Sequence, residues 1–289
     1  MNDNPRTWPH TWLVINTASG SYSEQAVADL VGGMQLIGML PERTLAIPDE
    51  AAPDRAVLET AGVELLAIFT GDGTVNGVVS GLYGWGGAVL VLPGGTQNLL
   101  AKALHGDRSA EAIVARMGEG PPPLERRHMV RTSQGDALCE VLAGPGAHWS
   151  DVREAMREGD LGGMATTLGE AISQSTGGAL VRITDPLLGK AEGYPAVRAH
   201  PVGGSMAIDG YGAATLADYA RQGVALLRRD FREGPHDALG SHRTIMCRSD
   251  VPIELMIDGE RSTGGCEERF EVIECPVEFF ATNSQRGSS

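Results

Sequence analysis

Two apolar runs in the first third of the chain each lead into a glycine-rich turn and then into a helical pattern. Residues 63–69 have the length of one buried parallel strand, and they end in the turn formed by residues 70–76. Residues 88–92 have the same character and end in residues 93–98, after which apolar positions recur at helical spacing. Two strand–turn–helix units about 22 residues apart predict adjacent parallel strands in an α/β sheet.

The two glycine turns predict a phosphate site. A strand, a tight turn and a helix aim free backbone N–H groups and the positive end of a helix dipole at one point. We expect Gly71 and Gly73 to take positive φ and to let a ligand approach the backbone closely. Asp72 could cap a helix, hold a metal or accept a proton from an attacking hydroxyl. The alternative for the first turn is an ordinary Asp-Gly turn with a threonine cap.

The remaining pattern predicts two domains. Residues 12–15 and 43–47 add two strands to the first domain, and the three prolines within residues 118–123 mark its end. We therefore assign residues 1–122 to an α/β domain. In residues 123–275, apolar and polar residues alternate in short runs that are separated by turn residues. This pattern indicates mainly antiparallel β-structure.

Composition excludes several classes of function. The chain has 289 residues and a formal net charge of −14, which argues against nucleic acid and against a broad polybasic membrane surface. Its four cysteines lack C-x-x-C spacing, so we expect reduced thiols in a cytoplasmic protein and no zinc site. No run approaches 18 apolar residues, and the N-terminus has no export signal. We therefore predict no transmembrane segment.

Together, the two motifs resemble the diacylglycerol kinase catalytic-domain family. They read Gly71-Asp72-Gly73-Thr74-x-Asn76 and Pro93-Gly94-Gly95-Thr96-x-Asn98-x-x-Ala101. The family includes bacterial diacylglycerol kinases, the YegS-like lipid kinases, and the sphingosine and ceramide kinases. The resemblance implies an α/β nucleotide-binding domain with a parallel sheet, related to that of NAD kinases, followed by a β-rich antiparallel sandwich. It also implies that residues 276–289 cross back to the first domain.

The resemblance assigns a set of residues to the nucleotide. They are Asn16, Thr17, Ala18, Ser19 and Gly20 after the first strand, with Thr44, Gly71, Gly73, Thr74, Asn76, Thr96 and Asp258. The lipid kinases carry N-P-x-S-G after the first strand, where this chain has threonine in place of proline. From the residues alone, that turn is an ordinary strand–helix connection with Ser23 as N-cap. Asn98 is assigned to the substrate.

The resemblance also assigns catalytic and metal-binding residues. Glu260, in Asp258-Gly259-Glu260, is implied to be the general base, with Asp72 as its rival; from the residues alone, this motif is a hairpin turn. A structural magnesium ion is implied at Asp209. The carbonyls of Met206 and Tyr211 would complete its protein ligands, although the chain lacks the leucine and second aspartate that usually follow.

These assignments imply an ATP-dependent lipid kinase, a phosphotransferase with an alcohol group as acceptor, that uses ATP and Mg²⁺. Its partners would be a lipid such as diacylglycerol and, transiently, a membrane surface; a homodimer is compatible with the sequence. Thr70 replaces the family's first glycine and would be strained at positive φ, and Gly77 replaces an acidic residue. The alternatives are a kinase for a soluble acceptor, as in NAD kinases, and a nucleotide-binding pseudokinase with a regulatory role.

Overall fold

A computed structural model of the chain describes residues 10–19, 22–144, 179–212 and 236–283. Contacts divide the chain into two compact units. The first consists of Met1–Arg127 with Glu274–Ser289, and the second of His128–Ile273. We refer to them as the α/β unit and the β unit.

The described elements follow one another in a simple order. The helices are α1 (Glu24–Leu36), α2 (Arg55–Thr60), α3 (Asp72–Ser80), α4 (Leu99–His105) and α5 (Ala110–Gly118). The strands are β1 (Thr11–Asn16), β2 (Arg43–Ile47), β3 (Leu65–Thr70), β4 (Ala88–Pro93), β5 (Leu124–Arg131), β6 (Asp136–Ala137), β7 (Val141–Ala143), β8 (Arg182–Asp185), β9 (Leu187–Leu188), β10 (Ala196–Val202), β11 (Ser205–Tyr211), β12 (Asp237–His242), β13 (Thr244–Arg248), β14 (Glu254–Ile257), β15 (Glu260–Thr263) and β16 (Glu267–Phe280). None of the described helices has both the length and the apolar character needed to span a bilayer.

The α/β unit is built on the predicted parallel sheet. Its strands are hydrogen-bonded in the order β2-β1-β3-β4, and the last residues of β16 pair in parallel with β4. The central strands are buried on both faces because α-helices follow them, which explains their continuous apolar runs. The carboxyl ends of β1, β2, β3 and β4 therefore meet at one edge of the sheet.

Side-chain caps fix where three of these helices begin. Ser23 caps α1, Asp54 caps α2 and Ser109 caps α5, and each side chain accepts a backbone N–H from the first turn. The predicted role of Ser23 as an N-cap is confirmed. Helix α3 is different, because its N-cap is Gly71 and has no side chain to offer.

The β unit is the predicted antiparallel sandwich. One of its sheets has the strand order β12-β11-β10-β7-β14-β15, and the other contains β8, β9, β13 and the first residues of β16. Both sheets contribute to one apolar core, where Ile245 and Phe270 of one sheet lie in the same cluster as Ile208 and Leu255 of the other. The predicted fold class is confirmed for both units.

The C-terminal segment is fastened to α4 by a buried histidine. Nδ1 of His105 lies 3.0 Å from Oγ1 of Thr282 and accepts the backbone N–H of Thr282 at 3.4 Å. The backbone N–H of Asn283 donates to the carbonyl of Leu104 at 3.0 Å. His105 is completely buried. That burial, together with the nearby charge of Arg108, lowers the pKa of His105 to about 4.

We predict that this histidine makes the protein less stable in mild acid. The unfolded chain binds a proton on His105 below pH 6.5, whereas the folded chain does so only below about pH 4. The free energy of unfolding should therefore fall between these pH values by about 3 kcal/mol in total. Denaturant titrations from pH 7 to pH 4 measure this slope.

A His105→Gln variant should show a shallower fall over the same pH range, whatever its stability at pH 7. An identical slope in His105→Gln and in the wild type would contradict this account.

Candidate functional site

The two glycine turns meet backbone to backbone at the carboxyl edge of the parallel sheet. Thr70 and Pro93 end β3 and β4 opposite each other, and the N–H of Gly94 donates to the carbonyl of Thr70 at 3.3 Å. A Cβ atom on Gly95 would lie 2.5 Å from Cα of Gly71. A side chain at position 95 is therefore excluded, and the sequence needs glycine there because the two turns are so close.

Close approach, rather than positive φ, explains the glycine at position 95. The expectation of positive φ in the first turn is wrong: Gly71 has a φ of −81°, and Gly73 lies inside α3 at negative φ. The expected strain at Thr70 is also absent. In the described part of the chain, the residues other than glycine with positive φ are Asn98 and Asp258. Thr70 is simply the last residue of β3.

The first turn of α3 presents backbone donors at this edge. The carbonyl of Gly71 already accepts the N–H of Val75 at 3.0 Å, so the helix starts at once after the turn. Its N-cap has no side-chain hydrogen bond, which leaves the first N–H groups without the usual cap. Asp72, Gly73 and Thr74 carry these donors and are half-buried. Such a helix start suits an anion such as phosphate.

Asp72 ties the two turns together. Its Oδ1 accepts the N–H of Leu100 at 3.2 Å, so this carboxylate caps α4, the helix that follows the second turn. Asn98 shapes the same turn from a left-handed conformation. Its Oδ1 accepts the N–H of Gly95 at 2.7 Å, and its Nδ2 donates to the carbonyl of Gly95 at 2.8 Å. Both side chains thus organise the motif, and a contact of Asn98 with substrate stays a prediction.

The loop after β1 lies against both glycine turns. Nδ2 of Asn16 donates to Oγ1 of Thr74 at 2.8 Å, and Oδ1 of Asn16 accepts the N–H of Ala18 at 2.9 Å. Oγ of Ser19 donates to the carbonyl of Gly94 at 3.4 Å. Thr17 turns towards β2 instead, because both its N–H and its hydroxyl donate to the carbonyl of Ile47. Gly20 lies outside the described residues.

Three further sequence-predicted residues lie at different depths. Thr96 is exposed in the second turn, next to Gly95. Asn76 is buried one turn into α3, so it packs inside the unit. Thr44, which the resemblance assigns to the nucleotide, pairs with Leu13 and lies three residues before the carboxyl end of β2 at Ile47. That separation is about 10 Å along a strand, and we therefore remove Thr44 from the candidate site.

In the β unit, the Asp258-Gly259 pair is a hairpin turn. Both residues have positive φ, as a two-residue turn between β14 and β15 requires. Glu260 follows as the exposed first residue of β15. Asp258 is buried, and its two carboxylate oxygens accept three backbone N–H groups, those of residues 138–140. Asp258 therefore anchors the hairpin, and a contact of its carboxylate with the nucleotide stays a prediction.

The predicted magnesium ligands do not fit one ion. Met206 and Tyr211 both lie in β11, five residues apart in extended conformation, which is about 16 Å. Two oxygens on one Mg²⁺ ion must be within about 4 Å of each other. The carboxylate of Asp209 instead accepts a hydrogen bond from Nη1 of Arg198 at 3.3 Å. Among the described residues, no group of three or more metal-ligating side chains could hold an ion, and we withdraw this site.

Sequence reasoning missed a cavity beside the second glycine turn. It has a volume of about 380 Å³, and Asn98, Lys102, Arg108 and Glu111 are among the residues that line it. Lys102 lies four residues after Asn98 in α4, so both are on one face of the helix. This spacing was visible in the sequence. The positions of Arg108 and Glu111 depend on how α5 packs, so they could not be predicted from the sequence.

Comparisons with known proteins agree with this geometry. Residues 10–122 match the family model for the diacylglycerol kinase catalytic domain. The fold is similar to that of a diacylglycerol kinase from Bacillus anthracis str. Sterne, with a TM-score of 0.63 and 16% identity, covering 95% of this chain and 97% of that chain. A candidate diacylglycerol kinase from the same strain gives a TM-score of 0.64 and 16% identity, covering 98% of both chains. No curated protein sequence matches the chain significantly.

Identity of 16% shows a shared fold and nothing finer. The sequence similarity to diacylglycerol kinases therefore depends on the family model and on the motifs that it covers. The matched residues include β1, both glycine turns and α3 to α5. Residues 10–122 of this chain are therefore similar to the diacylglycerol kinase catalytic domain.

Proposed function

We propose that this chain is an ATP-dependent lipid kinase that transfers the γ-phosphoryl group of Mg-ATP to a hydroxyl of a lipid such as diacylglycerol. One observation carries the proposal: two glycine turns touch through their backbones at the carboxyl edge of a parallel sheet, where α3 begins without a side-chain cap. The match of residues 10–122 to the diacylglycerol kinase catalytic domain supports a kinase. The nature of the acceptor is the part that experiment must decide.

The α/β unit would bind the phosphates through backbone donors. The first N–H groups of α3, at Asp72, Gly73 and Thr74, would donate to phosphate oxygens, and the helix dipole would favour their negative charge. Asn16 would hold Thr74 in place through the hydrogen bond between their side chains. Since the turns are held rigidly by each other, little reorganisation is needed when a phosphate binds.

The side-chain oxygens at this edge also suit magnesium. Asp72, Thr74 and Thr96 offer carboxylate and hydroxyl oxygens, which are the ligands that Mg²⁺ prefers. We propose that these residues hold the ion of Mg-ATP. When bound, Mg²⁺ would neutralise charge that develops on the transferred phosphoryl group.

Glu260 would act as the general base. A lipid hydroxyl is a weak nucleophile until a positioned carboxylate accepts its proton. Glu260 is exposed, and the hairpin that carries it is anchored through the hydrogen bonds of Asp258, which together supply access and a fixed direction. Asp72 is less suited to this role because its Oδ1 already caps α4.

We predict that Glu260→Gln lowers kcat by about 10²–10⁴-fold, because the amide cannot accept the proton. Transfer of labelled phosphate from ATP to diacylglycerol in mixed micelles measures the rate, and nucleotide titration should give an unchanged Kd for ATP. Glu267→Gln is a matched control, since Glu267 is an exposed glutamate of the same unit.

Equal labelling of lipid by wild type and Glu260→Gln would refute the base assignment. Labelling of NAD in place of lipid would refute the lipid acceptor and support a kinase for a soluble substrate. ATP binding with no transfer to either acceptor would support a pseudokinase.

We predict that Gly95→Ala weakens nucleotide binding by roughly tenfold or more, because the new Cβ would lie 2.5 Å from Cα of Gly71 and push the turns apart. Isothermal titration with ATP and Mg²⁺ measures the Kd. Gly77→Ala is a matched control: a Cβ there meets nothing within 4 Å, and alanine in the helix should raise stability by up to about 1 kcal/mol. Unchanged affinity in Gly95→Ala would show that the turn contact is not part of the nucleotide site.

A further inference from the structure

The hairpin that carries Glu260 is held by a backbone loop rather than by its own strands alone. Oδ2 of Asp258 accepts the N–H of Leu138 at 2.7 Å, and Oδ1 accepts the N–H groups of Cys139 at 2.9 Å and Glu140 at 2.8 Å. The N–H of Asp258 returns a bond to the carbonyl of Glu140 at 3.1 Å. Any movement of residues 138–140 must therefore move the turn that precedes Glu260.

The loop is in turn held by an arginine. Oε2 of Glu140 accepts Nε of Arg198 at 2.7 Å, and both side chains are largely shielded, with exposures of 5% and 14%. Three hydrogen bonds thus hold Glu140 in place. Its N–H and its carbonyl form hydrogen bonds with Asp258, and its carboxylate accepts one from Arg198. Loss of Arg198 would remove this ion pair from a buried carboxylate.

Arg198 joins this loop to the neighbouring strand. Its Nη1 donates to Oδ2 of Asp209 at 3.3 Å, and Asp209 lies directly opposite Arg198 in the pairing of β10 with β11. Nδ1 of His200 and Nε2 of His236 lie 3.9 Å and 3.6 Å from the carboxylate of Asp209. One guanidinium therefore bridges two buried carboxylates from different parts of the β unit, and its planar fork of donors is what makes this bridge possible.

We propose that Arg198 is a positioning residue for Glu260: by holding Glu140, it fixes the loop that anchors Asp258 and with it the direction of the catalytic hairpin. The inference rests on the proposed function in that Glu260 is the general base. Arg198 does not itself touch substrate in this account. It acts through the loop.

Arg198→Lys tests the proposal with the charge retained. A lysine ammonium is a point charge and cannot span Glu140 and Asp209 in the geometry of a guanidinium. We expect kcat for lipid phosphorylation to fall about tenfold, since displacement of a catalytic group by about 1 Å costs up to about 10²-fold in rate. The KM for ATP should be unchanged. Arg182→Lys is the control, because Arg182 forms an exposed ion pair with Asp250 in the same unit.

A double-mutant cycle separates positioning from a general structural role. When Glu260 is already glutamine, Arg198→Lys should lower the remaining activity less than about twofold, because the group that it positions is gone. An equal fold-loss in both backgrounds would overturn the proposal.

Hydrogen exchange supplies a readout that does not depend on activity. In Arg198→Lys, the amides of residues 138–140 should exchange at least about tenfold faster than in the wild type, while those of β13 stay unchanged. Unchanged exchange at residues 138–140 would overturn the proposal whatever the kinase assay shows. If these amides exchange faster in Arg198→Lys but the wild-type protein phosphorylates no lipid, the proposed function is refuted, while the role of Arg198 in fixing the hairpin is supported.

Discussion

Contact between the backbones of two glycine turns is the constraint on which the α/β unit depends. The backbone of Gly95 lies so close to Gly71 that a side chain on Gly95 would clash, and β3 and β4 end level with each other at Thr70 and Pro93. The turns then share their supports: Asp72 from the first caps the helix after the second, and Ser19 bonds to Gly94. The edge of the sheet is therefore a single rigid surface of backbone donors rather than two independent loops.

In the β unit, buried polar contacts fix the position of an exposed hairpin. Its sandwich core is apolar, and a run of buried polar contacts lies outside that core, from Asp258 to Glu140, Arg198 and Asp209. Arg198 alternates along β10 with Val197 and Ala199, which belong to the core, so its side chain lies on the opposite face of the sheet. Buried ion pairs of this kind contribute little net stability, because desolvation offsets most of the attraction. What they provide is a defined geometry, and the exposed hairpin at one end of the run is where a defined geometry is useful.

The local pattern of the chain was enough to predict the strand–turn–helix units, the antiparallel second half and the Ser23 cap. The bounds of β2 were predicted correctly as residues 43–47, but Thr44 was assigned from the family resemblance, and it lies near the start of that strand rather than at its carboxyl end. The magnesium ligands failed because Asp209 lies inside an extended strand rather than in a turn. Arg198 and Glu140 are 58 residues apart in the sequence, and no short spacing reveals such a pair.

One strand determines the order in which this protein can be completed. The early residues of β16 belong to the β unit, and its last residues pair with β4 of the α/β unit. During synthesis, the parallel sheet must wait for its fifth strand, because Glu278 lies 185 residues after Pro93 at the end of β4 (278 − 93). Late, non-local closure of this kind is slow. Until then, the outer side of β4 is an unprotected edge that a chaperone or a second nascent chain could pair with.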